Sequence, residues 1–149
     1  RDMIRMNDEE VAAFIDQGKS LQLATINKDG TPHLVAMWYG LMDGKIVIET
    51  FEKSQKAVNL RRDNRIACLL EAGTEYGELR GVQINGTVTL VTDPDEIRDL
   101  MKSVLRRNHE MDEKTLELAA EHGSKKRLGA IIEPTKIVTW DHRKLDVAY

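Results

Sequence analysis

A chain of 149 residues, 41% hydrophobic and 32% charged, has the size and make-up of one globular domain spanning 1–149, which excludes a disordered chain and a disulfide scaffold. The formal net charge of -3 and the pI near 5.8 argue against a nucleic-acid binder, which needs a basic face to neutralise phosphates. No apolar stretch approaches the ~20 residues that span a bilayer, and Arg1-Asp2-Met3-Ile4-Arg5 lacks a signal peptide's apolar core, so a cytoplasmic protein that enters no membrane is expected.

The first helix is expected over 8–17, capped by Asn7 or Asp8, with Val11, Phe14 and Ile15 on one face and Gly18 as the stop. The period then changes. Residues 20–27, 33–41 and 45–51 are β-branched or apolar runs separated by Lys28-Asp29-Gly30-Thr31-Pro32 and Met42-Asp43-Gly44; Asp-Gly between such runs signals hairpins, hence an antiparallel meander. A short helix from about 54 to 63 carries the polar face Gln55, Asn59, Arg62 and Asp63, and Arg65–Ala72 returns to strand. The single cysteine, Cys68, lies in that strand's apolar run and reads as a reduced core thiol.

The longest strand is expected over 79–91, where Val82, Ile84, Val88 and Leu90 alternate with Gln83, Asn85, Thr87 and Thr89, and where Gly81 and Gly86 suggest bulges or a tight bend. Asp93-Pro94-Asp95-Glu96 opens a helix with Ile97, Leu100, Met101, Val104 and Leu105 inward. Asp112–His122 is a further helix ended by Gly123, and strands at 128–133 and 136–141, split by Pro134, close the chain. About six antiparallel strands with three or four flanking helices in one unit predict an α+β closed barrel.

Several chemistries have no motif here. His33, His109, His122 and His142 show no metal-ligand spacing, and the chain has no nucleophile elbow, P-loop or dinucleotide fingerprint. The informative stretch is Glu49-Thr50-Phe51-Glu52-Lys53-Ser54-Gln55-Lys56-Ala57-Val58-Asn59-Leu60-Arg61-Arg62, where a strand ends and a helix begins. Ser54 can cap that helix, its free N–H groups suit a phosphate, Lys53 and Lys56 supply charge and Thr50 a hydroxyl. The same residues also describe an ordinary capped surface helix with solvated lysines.

His33-Leu34-Val35-Ala36-Met37-Trp38-Tyr39, then Lys53 to Asp63, then Leu79-Arg80-Gly81-Val82, then Trp140-Asp141-His142-Arg143-Lys144-Leu145 occur in an order that resembles the flavin/deazaflavin oxidoreductases, the pyridoxamine 5′-phosphate oxidase-like split β-barrels. Within that superfamily the sequence is most similar to the actinobacterial branch described as binding coenzyme F420. The resemblance implies a Greek-key-like split barrel and a homodimer with two cofactor sites at the subunit interface. It places Val35, Ala36, Met37 and Trp38 against the cofactor ring, and Thr50, Lys53, Ser54, Gln55, Lys56 and Asn59 at its phosphate. Gly81 stands where the oxidase has a ring-contacting glutamine, with Arg80 beside it. Trp140 matches a tryptophan that reaches the cofactor of the partner subunit; a barrel-closing core aromatic is the other reading. His142, Arg143, Lys144, Arg61, Arg62 and Arg65 are candidates for a basic lip, which suits the acidic oligoglutamate tail of F420 better than it suits FMN.

The function this implies is hydride transfer from reduced F420 to an unsaturated or quinone-like small molecule. The alternatives are an FMN enzyme related to pyridoxamine 5′-phosphate oxidase, a flavin or deazaflavin carrier without turnover, and a purely structural barrel. Tyr39 and His33 are the nearest proton-donor candidates, although a strand tyrosine or histidine is more often structural.

Overall fold

The structure is a computed structural model that describes residues 2–145, so Arg1 of the terminal segment lies outside the described residues. In chain order the elements are α1 (Asp8–Gln17), β1 (Ser20–Ile26), β2 (Pro32–Trp38), β3 (Gly40–Met42), β4 (Lys45–Phe51), α2 (Gln55–Arg62), β5 (Arg65–Ala72), β6 (Arg80–Val91), α3 (Pro94–Asn108), α4 (Glu113–Gly123) and β7 (Arg127–Asp141). The capping chemistry holds in detail. Asn7 and Glu10 form a reciprocal capping box on α1, Ser54 caps α2, and Asp93 with Pro94 at the first helical position opens α3.

All seven strands belong to one sheet in the order β2-β1-β5-β6-β7-β4-β3, and every neighbouring pair is antiparallel. The two edge strands, β2 and β3, are consecutive in sequence with Tyr39 alone between them. In a flat sheet those edges would lie ~29 Å apart at ~4.8 Å per strand. The two backbone steps from Trp38 through Tyr39 to Gly40 span at most ~7 Å, so the sheet must roll until its edges meet. The barrel is nonetheless split. The first half of β7, residues 127–131, pairs with β4, whereas residues 136–141 pair with β6 alone. Helix α1 lies over that opening and packs Val11, Phe14 and Ile15 on the core.

The strand count is therefore seven rather than six. The run 33–41 breaks at Tyr39 because that residue turns the corner between edges, and the two runs flanking Pro134 are one continuous strand, bent where a register shift at Asn85/Gly86 brings Gly86 opposite Pro134. Inside the barrel Leu21, Leu23, Ile48, Cys68, Leu70, Val82, Ile84 and Ile132 form one cluster. Outside, the barrel has two different faces. Helix α3 buries Val47 of β4 under Leu100 and Val104, and α4 packs on α3 through Ala120 against Met101. Among the described residues no helix covers Leu34, 69% exposed, or Ala36 on the exterior of β2, while Trp38, 47% exposed, meets the His109 ring edge-on at the end of α3 with 5.2 Å between centroids.

Burial raises the pKa of both Tyr39 and Cys68, the thiol being pushed up from 9.0 to about 12. A raised folded value means that the folded state prefers the protonated form, so the stabilisation is complete below the unfolded value and is lost as pH rises through the folded one. The urea midpoint is accordingly expected to hold up to about pH 9 and to fall between there and about pH 12. Cys68→Ala should flatten part of that fall, and an identical slope in the variant would contradict the assignment.

Candidate functional site

The end of β4 and the start of α2 form a polar cradle. Ser54 Oγ accepts a hydrogen bond from the Ala57 N–H at 3.1 Å and shares a second with Thr50 Oγ1 at 2.9 Å. Gln55 and Lys56 follow as the first two helical residues, and their N–H groups have no acceptor within the helix. Among the described residues neither Lys53 nor Lys56 enters an ion pair. Free N–H groups, the positive helix end and two unpaired ammonium groups within one turn suit a phosphate.

Asn59 holds the cradle in place. It is fully buried; its Nδ2 donates to Thr25 Oγ1 and Asn27 Oδ1, both at 3.0 Å, and its Oδ1 accepts from Gln55 Nε2 at 2.8 Å and Arg62 Nη2 at 3.1 Å. With each side-chain polar atom bonded within the chain, Asn59 serves the site by fixing α2 to β1 and orienting Gln55. The neighbouring arginines are similarly committed. Arg61 donates to the Glu52 carbonyl and Arg62 to that of Ile26, while Arg65 forks onto Asp63 and pulls that carboxyl down to about 2. Beside Gln55 a surface hollow of about 410 Å³ is lined by Asn27, Lys28, Asp29 and His33. His33 Nδ1 is buried there without a hydrogen-bond partner among the described residues. Nothing in the sequence separates His33 from an ordinary strand histidine; its pairing opposite Thr25 places it at this end of the barrel.

Strand β2 alternates strictly. Leu23 and Leu21 of the interior pair with Val35 and Met37, so those two side chains turn inward while Ala36 and Trp38 turn outward. The four residues assigned to the ring therefore divide between two faces. Because β2 is an edge strand bonded only to β1, its free N–H and C=O groups are also offered along that edge.

Gly81 lies opposite Trp140 on β6 and β7. A Cβ at position 81 would stand 2.7 Å from Trp140 Cε2, so the glycine is what lets the indole lie against the strand. Arg80 donates to the Glu78 carbonyl at 3.0 Å. This group and the cradle occupy opposite ends of the barrel. Helix α2 leads into Arg65 at the start of β5, while Glu71 and Ala72 at its far end pair with Gly81 and Arg80. Eight residues of strand, ~23 Å at ~3.3 Å per step, lie between.

The polar side chains of the C-terminal segment are tied down. His142 Nδ1 bonds the Tyr76 carbonyl at 2.7 Å, Arg143 forks onto the buried Asp141, and Lys144 pairs with Glu10 at 2.6 Å. Tyr39 donates its hydroxyl to the Ile15 carbonyl at 2.6 Å, is fully buried, and has its pKa raised by that burial, so it is a structural residue and no proton donor. No group of His, Cys, Asp and Glu among the described residues is arranged to hold a metal.

The sequence pattern of the pyridoxamine 5′-phosphate oxidase family matches residues 7–141, and the chain belongs to that family. It is 41% identical to a conserved hypothetical protein of Mycobacterium tuberculosis, with a TM-score of 0.95 over 100% of this chain and 93% of that one. An F420 reductase superposes with a TM-score of 0.66 at 20% identity, over 84% of this chain and 93% of its own. The heme storage protein HutZ of Vibrio cholerae does so at 0.69 and 13% identity, over 89% and 94%. These last two share the fold. Among curated proteins none matches the chain.

Gly81→Ala is expected to push Trp140 off the strand, at a cost of about 1–3 kcal/mol. Measured in a Trp38→Phe background, its fluorescence should shift to the red; an unchanged spectrum would mean that the indole does not rest on Gly81.

Proposed function

We propose that this protein is an F420-dependent oxidoreductase that works as a homodimer in the cytoplasm and reduces an unsaturated or quinone-like small molecule. The observation that carries the cofactor reading is the cradle: paired Thr50 and Ser54 hydroxyls, N–H groups at Gln55 and Lys56 unbonded within the helix, and two lysines without a carboxylate partner among the described residues. A phosphate-bearing flavin-type cofactor fits that donor set. The fold shared with an F420 reductase and the resemblance to the F420-binding branch favour the deazaflavin over FMN. The same fold carries heme storage in HutZ, so the cradle supports a phosphate-bearing cofactor more strongly than the architecture does.

When bound, the deazaflavin supplies hydride, and the chain's own residues position and shield it. Thr50, Lys53, Ser54 and Lys56 hold the phosphate while Asn59 fixes the helix that presents them. Ala36 and Trp38, on the outward face of β2, would border the cofactor ring, and the free N–H and C=O groups of that edge would be available to bond it. Gly81 and Trp140 close the site against water from a second copy of the chain. One chain holds the cradle and Trp140 at opposite ends of β5, so a cofactor that touches both needs two chains. The bare exterior around Leu34, Ala36 and Trp38 provides the contact surface, and Gln22 Oε1, buried on that same face without a partner among the described residues, provides an acceptor for it.

Titration with oxidised F420 and separately with FMN, read by ligand fluorescence, tests the proposal. F420 is expected to bind more tightly, and Lys56→Ala to weaken it about tenfold or more, the loss of one charge-assisted contact. Binding of FMN alone would turn the reading to an FMN enzyme; binding of neither would leave only the fold.

A further inference from the structure

Among the described residues, α1 is the one α-helix with no buried side chain, although it covers the opening of the barrel. Its apolar residues Val11, Phe14 and Ile15 are only partly buried, whereas the shorter α2 buries Ala57, Asn59 and Leu60. The helix is held at its ends instead. Before it, the Met6 N–H donates to Thr139 Oγ1 at 3.0 Å, and in its first turn Glu10 pairs with Lys144. At its far end the carbonyls of Ile15, Asp16 and Gly18 accept from Arg107.

A cavity lies beside the face that carries Val11 and Ile15. Strands β4 and β7 part beyond the Val47–Ile131 pair, and between them and α1 is a hollow of about 290 Å³, walled chiefly by Val11, Ile15, Ile46, Ile84, Ile132 and Ile137. Ile84 and Ile132 are each 1% exposed, so its floor is the barrel core. Val11 and Ile137 continue the wall into an outer hollow of about 550 Å³, which Asp8 and Lys136 also line. Protein interiors are close-packed, and the walls of an unfilled apolar space forfeit the contacts that a molecule of matching shape would restore.

The rim sets the polarity of such a molecule. Lys45 is paired with Glu133 and Arg5 with Asp2, while Asp8 and Lys136, which have no ion pair among the described residues, are opposite in sign. The charges balance, so neither a cation nor an anion is favoured. Residues 136–141 of β7 pair with β6 alone, so their other edge offers backbone N–H and C=O groups to the cleft.

We infer that the cleft between α1 and the split of the barrel is a binding site for a small, uncharged, mainly apolar molecule, with α1 as its roof. Its branched aliphatic walls, its balanced rim and a volume near the lower end of the ~300–1,000 Å³ of small-molecule sites all suit such a ligand. The cleft shares no lining residue with the Ser54 cradle or with Gly81 and Trp140, so the inference does not rest on the cofactor reading.

The test is saturation binding of N-phenylnaphthylamine to the full chain, read by probe fluorescence, beside anilinonaphthalene sulfonate, which adds one negative charge to the same ring system. Wild type should bind one naphthylamine per chain, and the sulfonate about tenfold more weakly. Val11→Phe, which fills the cavity from α1, should weaken the naphthylamine about tenfold or more and raise the Tm by a few degrees. Ile137→Trp, at a half-exposed position of the wall, should show the same loss of binding and serves if Val11→Phe does not fold. Leu34→Ser, on the bare exterior of β2, should bind as wild type does. Absence of saturable binding, unchanged binding in the filled variants, sulfonate binding as tight as that of the naphthylamine, or loss of binding in Leu34→Ser would each overturn the inference. So would naphthylamine binding that emerges only on dilution of the protein, which would mean that a second copy of the chain covers the cleft.

Discussion

Tyr39 is the residue on which this structure turns. It alone joins the two edge strands of a seven-stranded sheet, and a sheet whose edges are one residue apart has no flat solution. The corner is made rigid from three sides. The Tyr39 hydroxyl bonds the Ile15 carbonyl, the Arg107 guanidinium lies 5.0 Å from the ring centroid, and Gly18 admits the hydroxyl so closely that a Cβ there would come within 2.5 Å of it. Arg107 in turn donates to the carbonyls of Ile15, Asp16 and Gly18, the exposed acceptors at the end of α1. One corner thus fixes barrel closure, the helix that covers the split, and the end of α3.

Closure has a consequence for the site. Rolling the sheet places α2 and its cradle at one end of β5 and the Gly81–Trp140 pair at the other, while α3 and α4 cover the exterior at β3, β4 and the adjoining Ile131 of β7 and Val91 of β6. The opposite exterior keeps its exposed apolar residues. In the proposed homodimer the two groups come together from different chains, and the bare face around Leu34 and Ala36 is the surface on which those chains would meet. Charge follows the same division. Arg65, Arg127, Arg143 and Lys144 are each locked to a carboxylate of their own chain, whereas the lysines around Ser54 are not.

Much of this was legible in the sequence because it is local. Helix caps at Asn7, Ser54 and Asp93, the Asp-Gly turns and the alternation in β6 each depend on residues within a few positions of one another, and their elements match to within one or two residues. The corner at Tyr39 was not legible: it is one more aromatic in a largely apolar run, and only pairing with strands far along the chain reveals that the run must break there. Asn59 is similar. Its helical position is plain, but its role depends on Thr25 and Asn27, more than thirty residues earlier. The basic lip read from Arg61, Arg62, Arg65 and residues 142–144 was legible only as a row of charges: that Arg65, Arg143 and Lys144 are paired with carboxylates while Arg61 and Arg62 bond backbone carbonyls depends on contacts a count of charges cannot see. The ring-contact set on β2 was legible as a strand, yet the period of two divides it between faces.

The central claim, that each cofactor site is assembled from the Lys56 cradle of one chain and Trp140 of another, is tested most directly by mixing two variants. Lys56→Ala and Trp140→Ala chains, each purified alone, should both lose cofactor binding. Unfolded and refolded together in equal amounts, half of the dimers should be mixed, each with one intact site, and about one quarter of the wild-type binding capacity should return. Recovery at that level is expected of a site shared between two chains. A mixture that binds no more than the separate variants would place the cradle and Trp140 in the same site of one chain, or in no common site, and would contradict it.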